Sequence, residues 1–312
     1  MKNKKFIKSF LLKLFTKKSQ SSFKVTSSKK VLILKYDRIG DMIVTTPILR
    51  ELKKAYPDIS ISVLASNENK DVIKYNPYVE SIYTNYKNNL LMDLSKLLLL
   101  RWKKFDVCIE LDHSVIPHAI FRLKIINPKK IISIHKDGRY GVKGNELQLY
   151  DFLTKKEFGK HFGDIWLSTL SFFDIKNPSN KFDIFLSDTE INRAQAFSKS
   201  IASEIKIGIN LEGSYKEKQI QPADLQKICI SIKENFPDIT IVILSHPNKR
   251  ENTKQLVIKM DLESVIMSYE TKNILDVAAL INELDFIISP DTSIVHIASA
   301  FNKPIVSIHE DN

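Results

Sequence analysis

Three short segments of the chain gather side chains able to do chemistry. The first is Lys35-Tyr36-Asp37-Arg38-Ile39-Gly40-Asp41, which leaves an apolar run and enters an amphipathic one. Gly40 permits a tight turn, and Asp41 falls where a helix would begin. There its carboxylate either caps free N–H groups or acts as a general base. The helix terminus keeps it ionised, so as a base it would take a proton only late, as a transition state forms. The second segment is Glu212-Gly213-Ser214-Tyr215-Lys216-Glu217-Lys218. Gly213 and Ser214 can offer N–H groups and a hydroxyl to a phosphate, with Lys216 or Lys218 supplying charge; taken alone, it reads as an exposed polar loop. The third runs Ser289-Pro290-Asp291-Thr292-Ser293-Ile294-Val295-His296-Ile297-Ala298. A strand ends, a Pro-Asp turn follows, and a helix starts near Ser293. Thr292 and Ser293 put hydroxyls and free N–H groups at a helix N-terminus, a ready anion site, and His296 lies one turn in. Asp291 would repel a phosphate and is better suited to accept hydrogen bonds from sugar hydroxyls.

These segments must be held by a regular scaffold, and the surrounding pattern supplies one. Apolar runs at Val31–Tyr36, Ile59–Leu64, Phe105–Leu111 and Lys130–Ile134 alternate with helical patterns at Asp41–Tyr56, Leu90–Trp102 and Val115–Leu123. A helix-like stretch, Phe162–Phe173, follows a less regular region. The second half repeats the rhythm. Its strands are expected at Ile205–Leu211, Ile239–Leu244, Ser264–Met267, Phe286–Ser289 and Ile305–Ile308. Its helices are expected near Pro222–Asn235, Arg250–Lys259, Ile274–Glu283 and Ser293–Phe301. Such βα alternation predicts two parallel, doubly wound Rossmann-like domains facing a cleft. Asn177-Pro178-Ser179-Asn180 is a turn signal, which places the boundary near 180. The expected organisation is an arm at 1–30, an N-terminal domain at 31–180 and a C-terminal domain at 181–312.

Bulk properties exclude several classes. The 312 residues carry a net charge of +11, but residues 1–30 contain ten Lys and no acid. The remainder holds 37 basic and 36 acidic residues, so the body is balanced and nucleic-acid binding is not expected. Cys108 and Cys229 lie in apolar runs and read as buried thiols in a reducing compartment. There is no G-x-G-x-x-G, P-loop, G-x-S-x-G or Asp-x-Asp sequence and no zinc spacing, so neither a cofactor nor a metal is expected. Within residues 4–18, Phe6, Ile7, Phe10, Leu11, Leu14 and Phe15 recur at helical spacing among lysines. This predicts a basic amphipathic helix, read either as a contact with an anionic membrane surface or as a solubilising tail. Ser19 to Lys30 reads as a flexible linker. No run of about 18 apolar residues exists to span a bilayer.

Together the segments resemble glycosyltransferase family 9, the ADP-heptose:lipopolysaccharide heptosyltransferases. The likeness rests on Val31 to Asp41 with Thr46-Pro47, on Asn76-Pro77, on Lys218 with Pro222, and on Asp291 to Ala298 with Lys303-Pro304. It implies a GT-B fold, with the acceptor on the N-terminal domain and ADP-heptose on the C-terminal one, and inverting, metal-independent transfer. It implies Asp41 as catalytic base and Lys35 beside the acidic acceptor sugar. Donor contacts would come from Ser214, Lys218, Glu251, Asp291, Thr292, Ser293 and His296. A lipid-linked core saccharide would be the acceptor, and the enzyme would be cytoplasmic and peripheral to the inner membrane. Three features depart from the family: Ser293 where Gly is usual, Gln219-Ile220 where Trp often follows the lysine, and an end at Asn312 that suggests a truncated C-terminal domain. They leave two alternatives, a same-fold transferase with another nucleotide-sugar or acceptor and a non-catalytic nucleotide-sugar-binding module.

Overall fold

A computed structural model describes residues 12–16, 22–84, 90–139, 141–213, 215 and 218–309. It divides into two units. One holds the chain up to Arg38, Val44–Lys70 and Asn76–Lys181; the other holds Ile39–Ile43, Asp71–Tyr75 and the chain from Phe182 onward.

The first unit is a parallel sheet of β1 (Lys30–Leu34), β2 (Ser60–Ala65), β3 (Ser81–Thr84), β4 (Val107–Glu110), β5 (Lys130–Ser133) and β6 (Phe152–Leu153). Their spatial order is β3-β2-β1-β4-β5-β6. In register, Leu34 pairs with Leu64 on one side and with Glu110 on the other. The strands are nearly all apolar because helices cover both faces. Helices α1 (Ile39–Ala55), α2 (Leu90–Trp102) and α3 (Pro117–Ile126) follow β1, β3 and β4. Leu97 and Leu100 of α2 and Ile120, Leu123 and Ile126 of α3 bury against Leu32, Leu34, Cys108 and Ile131 of the sheet. Two buried charges join these helices: Arg122 donates to Asp93 at 3.0 Å and lies 4.8 Å from the Tyr36 ring. Asn127, in the left-handed region at φ 52°, ends α3 just before Pro128. A short helix α4 (Phe162–Leu167) and a 3-10 turn, Ser168–Phe173, complete the unit. Arg50 then donates to the carbonyls of Ser179 and Lys181, which fixes the unit's last residues onto α1.

The second unit begins with α5 (Asp188–Lys199), a helix that the sequence pattern does not announce. Its apolar stripe is thin, and a Ser187/Glu190 capping box together with an Arg193–Asp276 pair at 2.8 Å holds it in place. The sheet comprises β7 (Lys206–Asn210), β8 (Thr240–Leu244), β9 (Val265–Met267), β10 (Phe286–Pro290) and β11 (Ile305–Ile308), in the order β11-β10-β7-β8-β9, all parallel. The intervening helices are α6 (Pro222–Asn235), α7 (Arg250–Met260), α8 (Ile274–Asn282) and α9 (Ser293–Ala300). Both cysteines are buried, and no disulfide joins them.

Two expectations are corrected. The polar approach to β1 is not a flexible linker over its described part: Val25–Ser27 forms a 3-10 turn, Val25 is buried, and the Ser28 hydroxyl donates to the Val25 carbonyl. The helix after β1 begins at Ile39, not Asp41, with Arg38 as its N-cap residue.

Replacing Arg122 by Leu leaves Asp93 buried without its cation. We expect this to cost about 3–5 kcal/mol in urea unfolding. Replacing both residues by apolar ones of similar size should cost much less, and equal losses would show that the pair is not the source of the effect.

Candidate active site

In a doubly wound sheet, ligands bind outside the carboxyl ends of the strands where the strand order reverses. Each unit has one such point: between β1 and β4 in the first, and between β7 and β10 in the second. The singled-out segments leave β1, β7 and β10, so topology alone directs all three to crevices.

In the first unit, Lys35 is buried rather than open, at 4% exposure. Its ammonium lies 3.1 Å from Asp37 and 4.2 Å from the centre of the Trp166 ring. The Trp166 indole N–H donates to Nε2 of His113 at 3.1 Å. Burial and the Lys35 and Lys136 charges lower the pKa of that imidazole. Across the crevice, β4 ends in Glu110, whose carboxylate pairs with the fully buried Lys136 and accepts the Ser133 hydroxyl at 2.9 Å. Lys136 also donates to the Asp112 carbonyl, and its ammonium lies 5.1 Å from the Tyr150 ring. Burial, the Glu110 carboxylate and Asp37 together push the Asp112 carboxyl far above the ordinary range, while Lys136 holds Glu110 ionised. The two acids thus retain one proton through neutral pH. Sequence reasoning singled out only Lys35 here. The available signal was a charged residue closing an apolar strand, Val107-Cys108-Ile109-Glu110, followed by Asp112-His113.

In the second unit, Thr292 is the N-cap of α9 and its hydroxyl accepts the Ile294 N–H at 3.3 Å. Asn210, which ends β7, donates to Ser289 at 2.9 Å and to the Glu212 carbonyl at 3.0 Å, and lies 3.4 Å from the Thr292 hydroxyl. This network ties the β7 and β10 loops together, so Thr292 shapes the turn with a hydroxyl already in use. Asp291 stands exposed, while Ser293 and His296 are half-buried. Lys218 is half-buried, and its backbone lies so close to Gly213 that a Cβ there would sit 2.4 Å from the Lys218 carbonyl. Ser214 and Lys216 lie outside the described residues. Glu251 is exposed in the first turn of α7 and accepts Gln255 at 2.9 Å. A second lysine, unexpected from the sequence, joins this edge: Lys249 binds Glu212 at 2.5 Å.

Gly40 connects the first motif to the third. It is buried, and a Cβ on it would lie 2.7 Å from Cδ2 of His296 and 3.7 Å from Cα of Ser293. The start of α1, which carries Asp41, therefore packs directly on the start of α9. A side chain at position 40 would displace the His296 ring. His296 is also edge-on to Phe182, with ring centres 5.9 Å apart. Among the described residues no group of three or more His, Cys, Asp or Glu is placed to hold a metal ion.

Asp112 has a measurable consequence. Its folded pKa is raised, so the folded protein keeps a proton that the unfolded chain releases above about pH 4. Stability should then fall as pH rises from there through neutrality, by at most about 1.4 kcal/mol per pH unit for one proton. Denaturation of Asp112→Asn across this range should show a flatter profile; an unchanged slope would contradict the shared proton.

The comparisons with known proteins agree with this architecture. Residues 97–311 match the family model for glycosyltransferase family 9 (heptosyltransferase). The chain is 22% identical over 298 residues to lipopolysaccharide heptosyltransferase 1 of Campylobacter coli, a match that covers 89% of this chain and 83% of that protein. It is similar to the solved glycosyl transferase family 9 protein of Veillonella parvula DSM 2008, with a TM-score of 0.74 at 20% identity over 89% of this chain and 80% of that one. It is also similar to the E. coli heptosyltransferase WaaC with ADP, with a TM-score of 0.69 at 16% identity over 89% and 86%. With two parallel α/β units and a family match over more than half its length, the chain belongs to glycosyltransferase family 9 and is a glycosyltransferase of the GT-B fold.

Proposed function

We propose that the enzyme is an inverting, metal-independent heptosyltransferase that moves a heptose from ADP-heptose to a lipopolysaccharide core acceptor at the cytoplasmic face of the inner membrane. The observation that carries the reading is the packing of Gly40 on His296. It sets a carboxylate suited to deprotonating an acceptor beside a helix N-terminus suited to a diphosphate. The relatives named above support the choice of sugar, and the ADP in the similar WaaC structure supports the choice of nucleotide.

In this reading the acceptor hydroxyl oxygen attacks the anomeric carbon while the bond to the β-phosphate oxygen breaks. The electron pair leaves with ADP, and the hydroxyl proton goes to Asp41. One displacement inverts the anomeric centre. Lys218, Ser214 and the N–H groups opening α9 offset the charge developing on the diphosphate, with Lys249 nearby. Ser293 and His296 line the same helix end, and Thr292 presents it through the cap. Asp291 accepts hydroxyls of the sugar, Glu251 those of the ribose. Lys35, held between Asp37 and Trp166, draws an acidic acceptor into the crevice of the first unit.

The test is transfer from ADP-heptose to a truncated core acceptor with EDTA present. Asp41→Asn should lower kcat by about 10²–10⁴-fold and leave donor affinity nearly unchanged. Lys218→Ala should weaken donor binding as well. Gly40→Ala, by displacing His296, should lower kcat/KM by up to about 10²-fold. Full activity of Asp41→Asn would remove the base assignment. Transfer from a different nucleotide-sugar in place of ADP-heptose would assign the site to another donor.

A further inference from the structure

The first unit carries an apolar face that its own fold does not cover. Helix α2 buries Asp93, Leu97 and Leu100 inward, yet its outward side shows Leu98, Leu99 and Trp102, the last 81% exposed. A helix apolar on both sides is either covered or meets an apolar phase. The neighbouring α3 adds Phe121, exposed on its outward side with Lys124 one turn on. Arg101 donates to the Ile125 carbonyl at 3.0 Å, so the two helices end side by side. The arm joins the same layer. Leu12 packs on the cluster that α2 and α3 cover, Lys13 pairs with Glu146 at 2.7 Å, and Leu14 and Phe15 remain exposed. The Lys124 ammonium lies 5.9 Å from the Phe15 ring, which puts that ring beside α3.

Cations predominate around this face, with Glu146 paired to Lys13 at its edge. Residues 94–105 include Lys96, Arg101, Lys103 and Lys104 and no acid, and residues 113–136 contain no Asp or Glu at all. We propose that the outward sides of α2 and α3, together with the arm turn at Leu12–Phe15, form a docking face for an anionic phospholipid bilayer. Trp102 and the two lysines directly after it then serve as an interfacial anchor, indole in the headgroup layer and ammonium groups on the phosphates. Each cation near such a surface is attracted by the same field, and the apolar ridge adds buried area. With Glu146 already paired to Lys13 and cations in excess, an anionic lipid layer fits this face better than a basic protein surface. Of the amphipathic pattern expected for residues 4–18, residues 12–15 thereby become one edge of a larger face; residues 4–11 and 17–18 lie outside the described residues.

The indoles allow a direct test, because the chain has only two tryptophans and Trp166 is buried. The full chain is mixed with phosphatidylcholine vesicles with and without about 30 mol% phosphatidylglycerol. Anionic vesicles should shift Trp102 emission to the blue, and brominated acyl chains should quench it. Trp102→Phe should abolish both signals. Added salt should weaken binding. Leu98→Gln with Leu99→Gln, both at exposed positions, should lower vesicle affinity about tenfold or more, with the melting temperature and transfer to a soluble acceptor unchanged. Absence of binding to the anionic vesicles would overturn the proposal. So would binding with Trp102 emission unmoved and unquenched, which would assign attachment to the arm alone or to other residues. Binding by the glutamine variant at wild-type affinity would also overturn it. None of these readouts uses donor or base, so they stand or fall apart from the proposed reaction.

Discussion

The constraint on which the rest depends is the reversal of strand order beside the first strand of each sheet. In both units the chain builds outward from a central strand, returns, and builds outward on the other side. Two loops then diverge at the carboxyl ends of adjacent strands, and a crevice opens that no helix fills. Lys35 to Asp41 leaves one such strand. Glu212 to Lys218 and Asp291 to His296 leave the pair that flanks the other. The side chains able to do chemistry sit where they do because the strands under them are buried, apolar and parallel, and their polar ends have nowhere else to face.

Within that frame the site is organised by polar groups that satisfy one another. Asn210 binds Ser289 and the Glu212 carbonyl, which ties the β7 and β10 loops to each other. Lys136 and Glu110 are buried together, and the nearby Asp112 stays neutral, which keeps the crevice of the first unit from accumulating unpaired charge. Gly40 does its part by absence of a side chain: helix α1 can reach His296 only because there is no Cβ between them.

Much of this was legible in the sequence. The spans Leu90–Trp102 and Pro222–Asn235 coincide with the helices found: the first is a leucine-rich run after Asn88-Asn89, and the second opens at Pro222 and closes before Pro237. The N-cap at Thr292 was likewise readable from local chemistry. What escaped was what only tertiary structure decides. Helix α5 is polar overall, with only Ile191, Ala194, Ala196 and Phe197 apolar, and it pairs with a distant aspartate, Asp276. Strands β3 and β6 are short edge strands with half-buried side chains and carry almost no alternation. Lys136 is far from Glu110 and Asp112 in sequence, and nothing local shows that it shares one buried space with them. Lys249 is an ordinary surface lysine until Glu212 is placed beside it.

The indole bond to His113 has a final consequence. An N–H donated to Nε2 requires a lone pair on that nitrogen, so the ring proton resides on Nδ1. The imidazole is thereby locked in one tautomer. A second proton on that nitrogen would break the Trp166 bond, and burial together with the Lys35 and Lys136 charges disfavours it. His113 therefore offers an N–H donor at its other nitrogen, and its lowered pKa favours that neutral form. Through this bond the Trp166 indole sets the polarity that His113 presents in the crevice of the first unit.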